Sequence, residues 1–521
     1  MLTRRAVIGA APAAILGAPA ARAQTARVLR FLPYVDLFGL DPVLTSVSSV
    51  RSHGYLVFDT LYGMGQGYTP RPQMLAGDQI EDDGLTWHLT LRDGLLFHDG
   101  EAVLARDCVA SIRRWAVHDP LGQALMARTD ALSTIGDRTL RFRLKRPFPL
   151  LPYALGKLGG TMCAIMPERL AGGDPFRPVT EMVGSGPYRF LSDERVFGVR
   201  VVYERFERYR PRPDGVPEGT AGPKVVYFDR VEWDVIPDPA AAAGALQSGA
   251  VDAWEIPPVD LLPLIQHSSR LKLELVHDAG FCGLLRPNHR VPPFDRGDLR
   301  RAVLGAIDET RFMTAAMGTD FALWQVPCGF FPPNSPFASD IGMDQLSTRP
   351  DAGRVKRALA DAGYDGAAVT LLGAVDVPAL NALADVADET LRTIGMPVDY
   401  QAIDGNTMVQ RRALMRGWNV FCGAPSGFDL FDPGVHLPLR GTGAGGWPGW
   451  PSSPAIEALR DEWLDAPDLV SRRRIAASIQ AQAFIDLPYY PLGIFYTPSA
   501  YRSDLTGILR GLPLFWNLRR M

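Results

Sequence analysis

Segments of hydrophobic period two and of period 3.6 alternate along the whole chain, which points to a mixed α/β architecture. In Leu85 to Leu91 the apolar Leu85, Trp87, Leu89 and Leu91 alternate with Thr86, His88 and Thr90, the pattern of a half-buried strand. Asp93-Gly94 and Asp99-Gly100 supply turn chemistry around a second short strand, Leu95 to Phe97. Cys108, Val109, Ile112, Trp115 and Ala116 then fall at helical spacing, with His118 and Asp119-Pro120 as the exit. The helical period returns in Leu299, Ala302, Val303, Ala306 and Ile307 behind an Asp298 cap, and in Val355, Ala358, Leu359 and Ala362 before Gly363.

At 521 residues the chain exceeds what one hydrophobic core organises, so two or three folding units are expected. Interfaces between such units are where ligand clefts form. Stretches rich in Pro and Gly at 209–223 and 440–454 cannot sustain a regular element and are expected to be surface loops or mobile lips. No internal repeat of fixed period is present.

Arg4 and Arg5, the apolar run from Ala6 to Ala20 and the small-residue sequence Ala21-Arg22-Ala23 read as a cleavable signal peptide over residues 1–23. The adjacent arginines point to the twin-arginine export route, with ordinary secretion as the alternative. Past this segment no uninterrupted apolar run reaches the roughly 18 residues of a membrane span, so a soluble exported chain is expected. Without Arg4, Arg5 and Arg22, 51 of the 54 basic residues face 57 acidic ones, a formal charge of −6. That balance lacks the basic footprint of a nucleic-acid partner.

The five cysteines, Cys108, Cys163, Cys282, Cys328 and Cys422, are scattered without C-x-x-C spacing, and no histidine cluster accompanies them, so neither a metal nor another cofactor is expected. A Cys282 to Cys328 bridge is left open, since sequence alone does not fix the geometry. Enzyme signatures fail as well. Ser185 and Ser426 lack the flanking glycines of a nucleophile elbow, and neither H-E-x-x-H nor a phosphate-binding loop occurs, so no catalytic residue is named.

Six segments in order resemble the extracellular solute-binding proteins of family 5, the oligopeptide-, dipeptide- and nickel-binding class of ABC importers. The most specific is Asp82-Asp83-Gly84-Leu85-Thr86-Trp87-His88-Leu89-Thr90-Leu91-Arg92-Asp93-Gly94, continuing into Phe97-His98-Asp99-Gly100. The others are Gly184-Ser185-Gly186-Pro187-Tyr188, Leu246 to Asp252, Leu299-Arg300-Arg301-Ala302 with Ala306-Ile307-Asp308, Ala358 to Tyr364, and Asp486-Leu487-Pro488 through Phe515-Trp516-Asn517. His98 within this set reads as scaffold pinning a turn.

The resemblance implies a type II periplasmic binding protein fold: two α/β lobes joined by two crossing strands, with an extra subdomain inserted into the first lobe. It places the first lobe at 24–50, 184–279 and 489–521, the inserted subdomain at 51–183 and the second lobe at 280–488. The crossings fall near 280–288 and 489–495. It also implies a periplasmic, monomeric protein that closes over a short peptide or other small solute and delivers it to an ABC permease. An opine-like compound or a metal chelate is the alternative ligand. A sensor, chaperone or hydrolase on the same fold is the alternative role.

By the same resemblance Asp429 corresponds to an aspartate that pairs with a peptide's α-ammonium, and Asp432 follows it before Pro433. The competing reading makes both aspartates turn formers. Trp418, Phe428 and Phe431 are expected as apolar walls of the ligand site, and Trp447, with Trp450, as a lip over it. His436 alone is weak evidence for a metal.

Overall fold

The structure, a computed structural model, describes residues 27–347 and 350–521; the expected signal segment lies outside them. Among the described residues, three sheets of four or more strands, with two two-stranded ones beside them, organise the fold. The first has seven strands in the order Leu271–Glu274, Ser499–Arg502, Ala253–Trp254, Val28–Leu32, Arg230–Asp234, Arg200–Arg205, Tyr188–Phe190. Val28–Leu32 lies at its centre and runs parallel to both neighbours.

A six-stranded sheet has the order Trp324–Gln325, Tyr490–Phe495, Phe281–Pro287, Val420–Gly423, Val369–Ala374, Val398–Ile403. Its last three strands are parallel to one another. Every residue of Tyr490–Phe495 and all but the first of Phe281–Pro287 are buried, as expected of central strands covered on both faces. The third sheet is four-stranded and antiparallel, Leu75–Glu81, Thr86–Leu91, Thr139–Leu144 and Thr129–Ile135.

Periodicity located the main elements. Thr86–Leu91 alternates half-buried and buried residues as its sequence requires. Helix Ala105–His118 buries Cys108, Val109, Ile112, Trp115 and Ala116, and Asp119 then caps the next helix through the Leu121 and Gly122 amides. Helix Ala352–Asp361 ends at Gly363, whose φ of +71° suits glycine.

Three expectations change. Leu95 to Phe97 is only a Leu96–Ala102 bridge, because the Asp99-Gly100 turn follows at once and leaves no length for pairing. Asp298 sits inside helix Gly297–Leu304 rather than capping it, and that helix stops at Gly305, before Ala306 and Ile307. Strand Tyr490–Phe495, expected with the first lobe, belongs to the six-stranded sheet. The chain passes between the two large sheets at 275–280 and 496–498.

The Gly/Pro stretch at 440–454 is no mobile lip. It wraps the buried guanidinium of Arg286, which donates to the carbonyls of Pro448 at 2.7 Å, Pro438 at 2.6 Å, Pro488 at 2.8 Å and Trp447 at 3.3 Å. A planar five-donor cation satisfies backbone carbonyls that irregular chain leaves unpaired, so the loop packs instead of floating. Burial lowers the Arg286 pKa to about 9.

His98 joins two of the recurring motifs. Its Nε2 lies 3.1 Å from the Gly186 carbonyl, and its backbone amide donates to Gly184 O at 2.9 Å. A Cβ on Gly184 would meet Val57 O at 2.0 Å, so that segment is glycine for close approach. Cys282 and Cys328 are free buried thiols within one small apolar cluster with Leu430 and Ile494. Among the described residues no helix is long and apolar enough to cross a membrane.

Candidate ligand cleft

The parallel strands of both large sheets end toward a common gap, the usual position of ligands in open α/β sheets. Tyr34 follows Val28–Leu32 and Glu255 follows Ala253–Trp254 from one side. Asp376 follows Val369–Ala374, and Ser426 to Asp429 follow Val420–Gly423, from the other. Aromatic rings span the gap. Tyr34 faces Phe281 at 6.4 Å between centroids, and His277 stacks on Phe281 at 4.9 Å and meets Phe428 edge-on at 5.2 Å. Tyr68, from the segment before the four-stranded sheet, packs on Phe431 at 4.3 Å and Phe428 at 5.6 Å.

Asp429 sits at this junction and is about a fifth exposed. Its Oδ1 accepts from Arg51 Nη2 at 2.7 Å and from the Gly160 amide at 2.9 Å. Arg51, in helix Ser48–Val57, is buried and also donates to Ser46 O at 2.6 Å. The carboxylate therefore already holds a cation supplied by the protein.

Asp432 is fully buried. It accepts from the Gly434 and Val435 amides at 2.7 and 3.1 Å and from the Tyr153 hydroxyl. Burial raises its pKa above the usual carboxylate range. That is turn geometry before Pro433, and it leaves no face toward a solute.

Phe428 and Phe431 come together beside a cavity of about 10 Å³ lined by Met64, Tyr68, Tyr153, Leu158 and Gly159, space for a single water. A peptide enters only if the walls part. Trp418 and Trp447 are elsewhere. Trp418 precedes Val420–Gly423 whereas Phe428 follows it, so the strand's length, about 13 Å, separates them. Trp418 is buried with Leu372, Phe421 and Trp450, and its indole donates to Leu414 O at 2.7 Å. Trp447 lies between the guanidinium groups of Arg286 and Arg412 at 5.1 and 5.0 Å. Both belong to packing at the far end of the six-stranded sheet. His436 is a core residue against Phe330 O and Tyr489 Oη, and no metal-holding cluster is found among the described residues.

Sequence reasoning did not select Arg51, Tyr68, Glu255 or His277. Arg51 meets Asp429 across 378 positions, with no local motif to mark it. Glu255 was nearer to reach, three residues past the Leu246 to Asp252 segment. Burial pushes its carboxyl up to about 7, with the Tyr34 amide at 2.7 Å opposing the rise. Burial, helped by the Arg51 charge, lowers His277 to about 4.

Two large α/β sheets joined by two passages, with a gap at their strand ends, are the architecture of type II periplasmic binding proteins. The chain belongs to the bacterial extracellular solute-binding proteins, family 5, whose middle-region model matches residues 69–443. It is 35% identical over 525 residues to the probable peptide ABC transporter periplasmic-binding protein y4tO of Sinorhizobium fredii, covering 98% of each chain. Among solved structures it resembles the dipeptide-binding protein of Pseudoalteromonas sp. SM9913 in complex with Met-Leu, with a TM-score of 0.77, 18% identity, and 95% and 100% of the two chains covered. The agropinic acid complex of AgaA from Agrobacterium tumefaciens R10 gives a TM-score of 0.77 at 20% identity, covering 95% and 99%.

Proposed function

We propose that the cleft captures a short peptide or peptide-like solute and presents it, chemically unchanged, to an ABC permease at the inner membrane. The observation that carries this reading is the near full-length likeness to y4tO, whose name describes a peptide transporter's periplasmic-binding protein. The cleft's chemistry agrees with it. Aromatic walls from Tyr34, Tyr68, Phe281 and Phe428 suit side chains, and polar groups at the strand ends suit a peptide's backbone. In this reading closure brings Arg51 to Asp429, so the pair works as a latch between the two sides. The protein acts as a monomer in the periplasm, exported through Arg4-Arg5 by the twin-arginine route.

Native mass spectrometry of freshly purified protein, followed by melting curves with di- to hexapeptides and with agropinic acid, tests the reading. A solute at 100 times its Kd adds about 2.7 kcal/mol of stability. A shift with peptides and recovery of the peptide intact are expected. No shift with any peptide, or a hydrolysed product, would refute it.

A further inference from the structure

Beside the cleft, one face of the seven-stranded sheet carries an apolar cavity of about 70 Å³. Leu29 and Phe31 of the central strand line one side, and Leu505, Leu509 and Phe515 of the C-terminal segment line the other. Apolar cavities of about 150 Å³ hold benzene, so this one has room for a branched aliphatic group of three or four carbons.

Polar side chains also line the cavity: Ser499 and Tyr501, whose hydroxyls are taken up by Glu255 O and by Glu274, and Glu255 and His277. Among the described residues Glu255 makes no ion pair; its carboxylate accepts the Tyr34 amide. His277 holds Nε2 3.2 Å from Ser426 Oγ, while its buried Nδ1 has no hydrogen-bond partner among the described residues. Asp429 contrasts with both, already joined to Arg51 and the Gly160 amide. Glu255 is only half-buried, yet a carboxylate drawn partly out of water without a cation is less stable than a paired one, and a ligand ammonium beside it would offset that cost. The burial that lifts Glu255 toward neutrality reflects the same lack of a partner.

We propose that Glu255, and not Asp429, receives the ligand's ammonium group, and that the adjoining cavity takes a valine- or leucine-sized side chain next to it. This rests on the solute-capture reading and narrows it to amine-bearing solutes with a branched aliphatic residue.

The test uses the mature chain with two fragments of the same shape, 3-methylbutylamine and 4-methylpentanoate, read by ligand-observed NMR. The dipeptide Leu-Gly and its N-acetylated form are titrated by calorimetry. The amine is expected to bind and the carboxylate not, and Leu-Gly to bind at least tenfold more tightly than its acetylated form. Glu255→Gln should weaken amine and dipeptide at least tenfold, and Leu509→Trp, which fills the cavity from a half-buried position, should abolish amine binding with the fold intact by circular dichroism. Equal binding of the two fragments, absence of amine binding, or an unchanged affinity in Glu255→Gln overturns the proposal. If Leu-Gly binds Glu255→Gln normally but not Asp429→Asn, the proposal fails and the peptide reading stands. If the amine binds and no peptide does, the peptide reading fails and the site stands.

Discussion

Gly159→Ala should hold the cleft open. A Cβ at Gly159 would stand 2.0 Å from the Phe428 carbonyl oxygen and 2.8 Å from its carbon, where real contacts of this kind stay beyond 3.0 Å. The walls must separate by at least 1 Å, and the Phe428 side cannot retreat. Its neighbour Gly427 is packed so tightly that a Cβ there would sit 2.0 Å from Ala279 O. Gly159 itself does not occupy the left-handed region, so alanine costs nothing locally once the walls part. Overpacking of this kind costs about 1 to 3 kcal/mol. Borne by the closed form alone, it lowers the closed population and weakens apparent affinity about 5- to 150-fold. Calorimetry with whichever solute binds, together with the radius of gyration from X-ray scattering, reads both effects. Gly77→Ala, with open space around its Cβ, is the control. Unchanged affinity and radius in Gly159→Ala would show that closure does not depend on this contact.

Other outcomes follow from buried polar groups and from the N-terminus. Glu309 is buried, with Oε2 3.0 Å from the Cys328 amide and Oε1 unpartnered among the described residues. Burial lifts its pKa from 4.5 to about 8. Because the folded value lies above the unfolded one, its contribution is complete below about pH 4.5 and is lost as pH rises toward 8. Glu309→Gln should therefore match the wild-type melting temperature near pH 4.5 and exceed it increasingly up to pH 8.5, and a constant difference across that range would contradict the assignment. Arg286→Met strips a charged donor from four carbonyls, at about 1 to 3 kcal/mol for each group left unsatisfied. Its unfolding free energy from urea titration should fall by at least about 3 kcal/mol, and Arg286→Lys should not restore it because an ammonium lacks the planar fork. Exchanging Arg4 and Arg5 for lysines keeps the charge and should leave the protein in the cytoplasm; secretion at the normal level would assign it to the ordinary pathway.

The two-period pattern was enough to place Thr86–Leu91 and the helices at 105–118 and 352–361, because each buries one face against a single neighbouring layer. Where burial comes from both sides the pattern is lost. Phe281–Pro287 and Tyr490–Phe495 are buried almost throughout, so neither shows an alternation, and the change of sheet at 496–498 leaves no periodic mark. The Gly/Pro stretch at 440–454 misled for a related reason. Composition reports that a segment cannot form a helix or strand, but it does not report that Arg286, 161 and 162 residues away, will satisfy the carbonyls of Trp447 and Pro448.

The cleft was legible only as far as one chain segment carries it. Phe428, Asp429 and Phe431 lie within four residues of one another, and they do meet at the junction. Their partners Arg51, Tyr68 and Gly160 come from remote parts of the chain, so the charge already facing Asp429 had no sequence counterpart. This bears on function, because a carboxylate is an anchor for an incoming ammonium only while it lacks another cation. Arg51→Gln makes the distinction measurable. If Asp429 is a latch, removing its partner weakens closure and lowers affinity for every solute in similar proportion. If Asp429 is a masked anchor, the same change frees it, and solutes with a free amine gain over their acetylated counterparts.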